Sequence, residues 1–115
     1  DPAMPYLALT TNIAVDESTI IEPLSALVAE QFGKSEAYVM VVLEPQRPMV
    51  FAGTDAPTAH VVLKSLGLQP DQTPALSQAI CDFLQARLGI ACDRVYIDFQ
   101  SPARNMFGWN SKTFG

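Results

Sequence analysis

Apolar positions follow two rhythms along the chain, and each rhythm occurs twice. Tyr6 to Thr11 (YLALTT) is a short β-prone run, and Asn12 to Ser18 supplies turn and cap formers after it. From about Asp16 to Phe32, the residues Ile20, Ile21, Leu24, Leu27, Val28 and Phe32 recur at spacings of three and four. This predicts an amphipathic helix that Gly33 stops. Pro23 falls within the stripe, so either the first turn is kinked or the helix starts late. Tyr38 to Leu43 (YVMVVL) is apolar on both sides and β-branched, which predicts a central strand with Pro45 and Pro48 in its exit turn.

The second half repeats the plan. His60 to Leu66 (HVVLKSL) predicts a strand and Gly67 to Gln72 a turn-rich connection. Thr73 is placed to cap a helix with Pro74 at its first position, buried through Leu76, Ile80, Phe83, Leu84 and Leu88 and ended by Gly89. Val95 to Phe99 then forms the closing strand. The stops Gly33 and Gly89 lie 56 positions apart, and Met49–Gly53 and Met106–Asn110 recur at nearly the same offset. Two pseudo-symmetric β-α-β repeats, about 5–53 and 58–110, predict an α/β fold. Its core is a four-stranded mixed sheet with two helices on one face, plus short edge strands near 49–52 and 106–109. The other sheet face is left bare, and association with further copies of the chain is expected to cover it; loops folding over a monomer's open face are the alternative.

A length of 115 residues with 49% hydrophobic side chains fits one domain. Asp1-Pro2-Ala3 precede Met4 and read as a foreign remnant ahead of a native start, leaving 4–115 as the domain. Seven basic against twelve acidic residues give a net charge of −5, and the cations are scattered singly, which argues against nucleic acid and membrane-surface partners. Cys81 and Cys92 form no CxxC and His60 is the sole histidine, too few soft ligands for a structural zinc site. They read as two free thiols. Neither G-x-S-x-G nor a glycine-rich phosphate loop is present. No basic-then-apolar leader opens the chain and no apolar run approaches about 18 residues, so a cytoplasmic location is expected.

Pro5 is the candidate for chemistry. Exposed by removal of Met4, it would carry a secondary amine, and burial or a neighbouring cation would lower that amine's pKa toward working pH, giving a general base without histidine. Its other reading is a strand-initiating proline. Lys34 suits a helix C-terminus and equally a carboxylate clamp. A backbone N–H near Ser65 and Leu66 could hold an anionic oxygen. Tyr96, Asp98, Phe107, Trp109 and Phe114 could wall a cleft for a flat, ring-bearing substrate, or belong to a core or subunit interface.

These residues carry a resemblance. Met4-Pro5 opening a strand, Gly33-Lys34, Tyr38, Ser65-Leu66-Gly67, Asp93-Arg94-Val95-Tyr96-Ile97 and Gly108-Trp109-Asn110-Ser111-Lys112-Thr113-Phe114 together resemble the macrophage migration inhibitory factor family of the tautomerase superfamily. The resemblance spans Pro5 to the C-terminus. It implies a homotrimer with a barrel-like arrangement of sheets and active sites between subunits. It further implies a cofactor-free and metal-free keto–enol tautomerase acting on phenylpyruvate-like α-keto acids, with Pro5 as catalytic base. Lys34, Ser65 and Leu66 would contact the substrate's acidic and oxygen groups, Tyr96 would come from the neighbouring subunit, and Asp98 would lie near the substrate pocket. Phe107 and Phe114 would line the apolar pocket, with Tyr38 and Trp109 supporting it.

Three positions depart from the family pattern. Asp98 stands where the animal cytokine has asparagine, Phe107 replaces a smaller aliphatic residue, and Thr58–Val61 (TAHV) lacks the cysteine pair tied to thiol oxidoreductase activity. The alternative function is a cytokine-like signalling or interaction protein with vestigial catalysis. The animal relatives leave cells by non-classical export, which the resemblance extends to this chain as a second location.

Overall fold

The β-prone runs become strands of one sheet and the 3.6-period stripes become two helices in a computed structural model that describes residues 3–115. Of the segment 1–3, Asp1 and Pro2 lie outside the described residues. The order is β1 (Tyr6–Thr11), α1 (Glu17–Phe32), β2 (Met40–Glu44), β3 (Ala59–Lys64), α2 (Thr73–Leu88), β4 (Val95–Gln100), β5 (Gly108–Trp109) and β6 (Lys112–Thr113).

The sheet runs β2-β1-β3-β4, parallel within each repeat and antiparallel where β1 meets β3 at the centre. Tyr6 stands opposite Met40 on one side and Lys64 on the other. Period-two alternation sends Leu7, Leu9, Val61 and Leu63 into one core with Leu24 and Val28 of α1 and Leu76, Ile80 and Leu84 of α2. The opposite side carries Tyr6, Met40, Lys64, Tyr96 and Asp98, and the large apolar members Met40 and Tyr96 are 60% and 67% exposed. The bare second face expected from the sequence is therefore present in the protomer.

Local chemistry sets the helix ends. Asp16 Oδ1 accepts from the Ser18 N–H at 3.2 Å, and Gly33 stops α1 at φ 61°, a left-handed conformation that lets its N–H reach the Ala29 and Glu30 carbonyls. Pro23 lies inside α1, which runs unbroken from Glu17, so the helix does not start late. Its missing N–H leaves the Thr19 carbonyl without the usual i→i−4 donor.

Three further expectations are corrected. Tyr38 lies outside the strand, in a 3₁₀ turn over Glu36–Tyr38 that is capped by Ser35 Oγ on the Ala37 N–H at 3.1 Å. β2 is an edge strand, because β1 inserts between it and β3; its apolar composition on both sides reflects the uncovered face rather than a central place. Thr73 is the first residue of α2 instead of its cap, since its hydroxyl donates to the Pro70 carbonyl at 2.8 Å. Of the two edge segments, 49–52 contributes only a Phe51–Thr54 bridge, and 106–109 leads into the β5–β6 hairpin.

The linker between repeats is fastened from both sides. Asn12 Nδ2 donates to the Asp55 and Ala56 carbonyls, and Thr11 Oγ1 to the Thr58 carbonyl at 2.8 Å. Arg94 donates to the carbonyls of Phe51, Thr54, Ala56 and Pro57 and lies over the Phe51 ring.

Candidate functional site

Pro5 directly precedes β1, and its carbonyl accepts the Met40 N–H at 3.0 Å, which ties the start of β1 to the start of β2. This junction opens a cleft of ≈ 370 Å³ lined by Met4, Pro5, Tyr6, Ala37–Met40, Lys64 and Phe107–Trp109. The structure thus brings together Pro5, Tyr38, Phe107 and Trp109 of the residues singled out from sequence. Pro5 is fully buried and Met4 is 8% exposed, at a positive φ of 52°. Because Met4 precedes it, the Pro5 nitrogen is a tertiary amide without a basic lone pair.

The aromatic wall is built by the C-terminal segment. Asn110 and Ser111 both take positive φ, the geometry of a two-residue hairpin turn, and this folds Trp109 back opposite Lys112. Phe114 stacks parallel to Trp109 at 6.3 Å and edge-on to Phe107 at 6.0 Å, while its N–H donates to the Phe107 carbonyl. Phe114 therefore backs the two cleft aromatics without lining the cleft itself.

Ser65 and Leu66 follow β3 and are buried beside the N-terminal segment. The Leu66 N–H donates to the Ala3 carbonyl at 2.8 Å, and Ser65 Oγ donates to the same oxygen at 2.9 Å. The two donors converge on one carbonyl oxygen, which is the arrangement an enolate oxygen needs. In this chain the Ala3 carbonyl fills it.

The remaining residues lie elsewhere in the protomer. Lys34 is exposed just past the end of α1 and outside the cleft wall. Tyr96 and Asp98 project from β4, which two strands, β1 and β3, separate from β2, on the open face. Tyr96 packs edge-on to Phe51 at 4.9 Å, and Asp98 Oδ2 accepts from Gln100 Nε2 at 3.2 Å.

Two residues with no sequence-derived role emerge. Lys64 lines the cleft, with Nζ 4.8 Å from the Tyr6 ring centroid. Its place at the end of a strand, alternating with buried Leu63 and Ser65, was the available signal. Arg94 fixes the Phe51 loop against which Tyr96 packs. Both Cys81 and Cys92 are free thiols; burial, followed by the nearby Cys92, pushes the Cys81 thiol up. Among the described residues, no three His, Cys, Asp or Glu side chains gather as a metal site, and no helix is long and apolar enough to cross a membrane.

Comparison with known proteins covers the same span. The profile of the macrophage migration inhibitory factor family matches residues 4–115. Macrophage migration inhibitory factor of Mus musculus is 35% identical over 115 residues, covering 96% of this chain and 99% of that one. The Xenopus tropicalis protein of the same name is 32% identical over 114 residues, with 96% and 99% covered. Among solved structures, the homologue from Prochlorococcus marinus superposes with a TM-score of 0.90 at 34% identity, covering 96% of this chain and 99% of that chain. The structure from Trichinella spiralis gives 0.89 at 32% identity, with 95% and 99% covered.

Proposed function

The chain belongs to the macrophage migration inhibitory factor family, and from that premise we propose that it is a keto–enol tautomerase using Pro5, as the first residue of the processed chain, for general base catalysis. The family lies in the tautomerase superfamily, and membership supports tautomerase or cytokine-like function in general terms. The observation that carries the finer reading is the position of Pro5: fully buried at the foot of β1 and lining an aromatic cleft with Tyr38, Phe107 and Trp109.

A secondary amine in that setting is disfavoured in its charged form by desolvation, so it is neutral and basic near working pH. It takes a proton from the carbon alpha to a carbonyl and returns it to the alternate position, without a cofactor. The Leu66 N–H and Ser65 hydroxyl, which already converge on a carbonyl oxygen, stabilise the charge that develops on the substrate oxygen. Proton transfer supplies about 10²- to 10⁴-fold of the rate; the flat aromatic wall orients the ring of a phenylpyruvate-like acid for the rest.

The assembly proposed is a homotrimer that closes over the open sheet face. It lets a neighbour bring Tyr96 and Asp98 to the Pro5 cleft, and the separation of β4 from β2 within one protomer supports that division of labour. Lys34, at the end of α1, is placed as a carboxylate contact in the assembled site.

Phenylpyruvate ketonisation by protein beginning at Pro5, compared with its Pro5→Gly variant, tests the reading. A loss of about 100-fold or more is expected for the variant. Equal rates at background level would remove the enzymatic function and leave the cytokine-like one.

A further inference from the structure

Among the residues that line the Pro5 cleft, Lys64 alone bears a formal charge; the others are aromatic, aliphatic or glycine. It closes β3 opposite both Tyr6 of β1 and Gln100 of β4, at the level of the sheet where Pro5 begins. The Tyr6 ring holds Nζ at 4.8 Å from its centroid, a cation–π contact that leaves ammonium donors on the side away from the ring for an oxygen ligand. Among the described residues no carboxylate forms an ion pair with Lys64. A lone ammonium at the wall of an otherwise neutral, largely apolar cleft favours an anion carrying a ring: the ring occupies the aromatic wall while the anionic head neutralises the cation.

We propose that Lys64 is a specificity-determining residue of the Pro5 site, its ammonium anchoring the carboxylate of an aromatic acid. For the reaction itself this rests on the tautomerase reading above; the selectivity is a property of the cleft and is measurable without turnover.

The experiment titrates 3-phenylpropanoate and 3-phenylpropanamide into protein beginning at Pro5, followed by chemical-shift perturbation, for the wild type, Lys64→Met and Lys64→Arg. The wild type binds the acid about tenfold or more tightly than the amide, as one charge-assisted hydrogen bond implies. Lys64→Met loses most of that preference, the remainder resting on Lys34, but keeps its affinity for the amide, and Lys64→Arg retains most of the preference. With phenylpyruvate as substrate, Lys64→Met raises KM about tenfold and leaves kcat within about threefold. Equal wild-type affinity for acid and amide, no binding of either, an unchanged preference in Lys64→Met, or a parallel loss of both ligands would each overturn the proposal. Selective acid binding without ketonisation would instead refute the tautomerase reading and leave the role of Lys64 standing.

Discussion

In the proposed reaction the substrate would take the places that Ala3 and Met4 occupy. The Ala3 carbonyl takes both donors of the Ser65–Leu66 pair, and Met4 contributes to the cleft wall over an acylated Pro5 nitrogen. A chain retaining residues 1–4 is therefore expected to ketonise phenylpyruvate at least about 100-fold more slowly than the same chain beginning at Pro5, a comparison that intact-mass analysis of both preparations makes secure. The place of Pro5 at the start of β1 was legible, because an apolar β-prone run follows it directly. Lys64 was not, because a lysine in a strand reads as a solvated position until the sheet register sets it beside Pro5. Arg94 acts through contacts that span a loop of the other repeat, which no local window of sequence reveals. Arg94→Met removes four donor contacts to backbone carbonyls, partly exposed, and is expected to lower stability by about 2 kcal/mol in denaturant unfolding. The Cys81 thiol, raised by burial and by Cys92, holds less thiolate at a given pH than an ordinary cysteine, so it should alkylate with iodoacetamide more slowly than glutathione at pH 8.

The periodic segments form the strands and helices that their patterns predict, and the differences lie at their boundaries. Tyr6–Thr11 emerged with the ends expected, and the left-handed stops at Gly33 and Gly89 fell where the pattern placed them, because a glycine after an apolar stripe is a local signal. Tyr38 was misplaced because an apolar run does not reveal where a 3₁₀ turn hands over to a strand; the capping Ser35 was the missed cue. The edge position of β2 was illegible for another reason. Strand order is set by pairing across the repeats, which no window of sequence contains. Pro23 runs against helix propensity within α1. It sits inside an unbroken helix, where it removes a hydrogen bond and crowds the Thr19 carbonyl, while its fixed φ restrains the unfolded chain by a smaller amount. Pro23→Ala is expected to stabilise the protein by about 1–2 kcal/mol, read as a higher urea midpoint at an unchanged slope.

For the molecule as a whole, the protomer leaves a sheet with two helices on one side and none on the other. The uncovered side presents Tyr96, Met40 and Tyr6, and β2 and β4 both end the sheet with unpaired backbone edges. A net charge of −5 keeps such chains soluble but places only a modest barrier between copies at physiological salt, where exposed charges are screened beyond about 8 Å. A closed ring of three chains would cover the faces and pair the edges together, and it would bring β4 of one copy toward the β1–β2 end of another, where Pro5 lies. Sedimentation equilibrium at micromolar concentration is thus expected to give three times the 12.5 kDa chain mass. Tyr96→Ala, altering a residue that is exposed in the protomer and far from its own Pro5, separates shared from private sites. If the site is shared, equal mixing and reassembly of Tyr96→Ala with Pro5→Gly chains restores a fraction of wild-type turnover, because some interfaces then join an intact Pro5 to an intact Tyr96. A 12.5 kDa species, or no recovery on mixing when each variant alone is inactive, would place the whole site within one protomer.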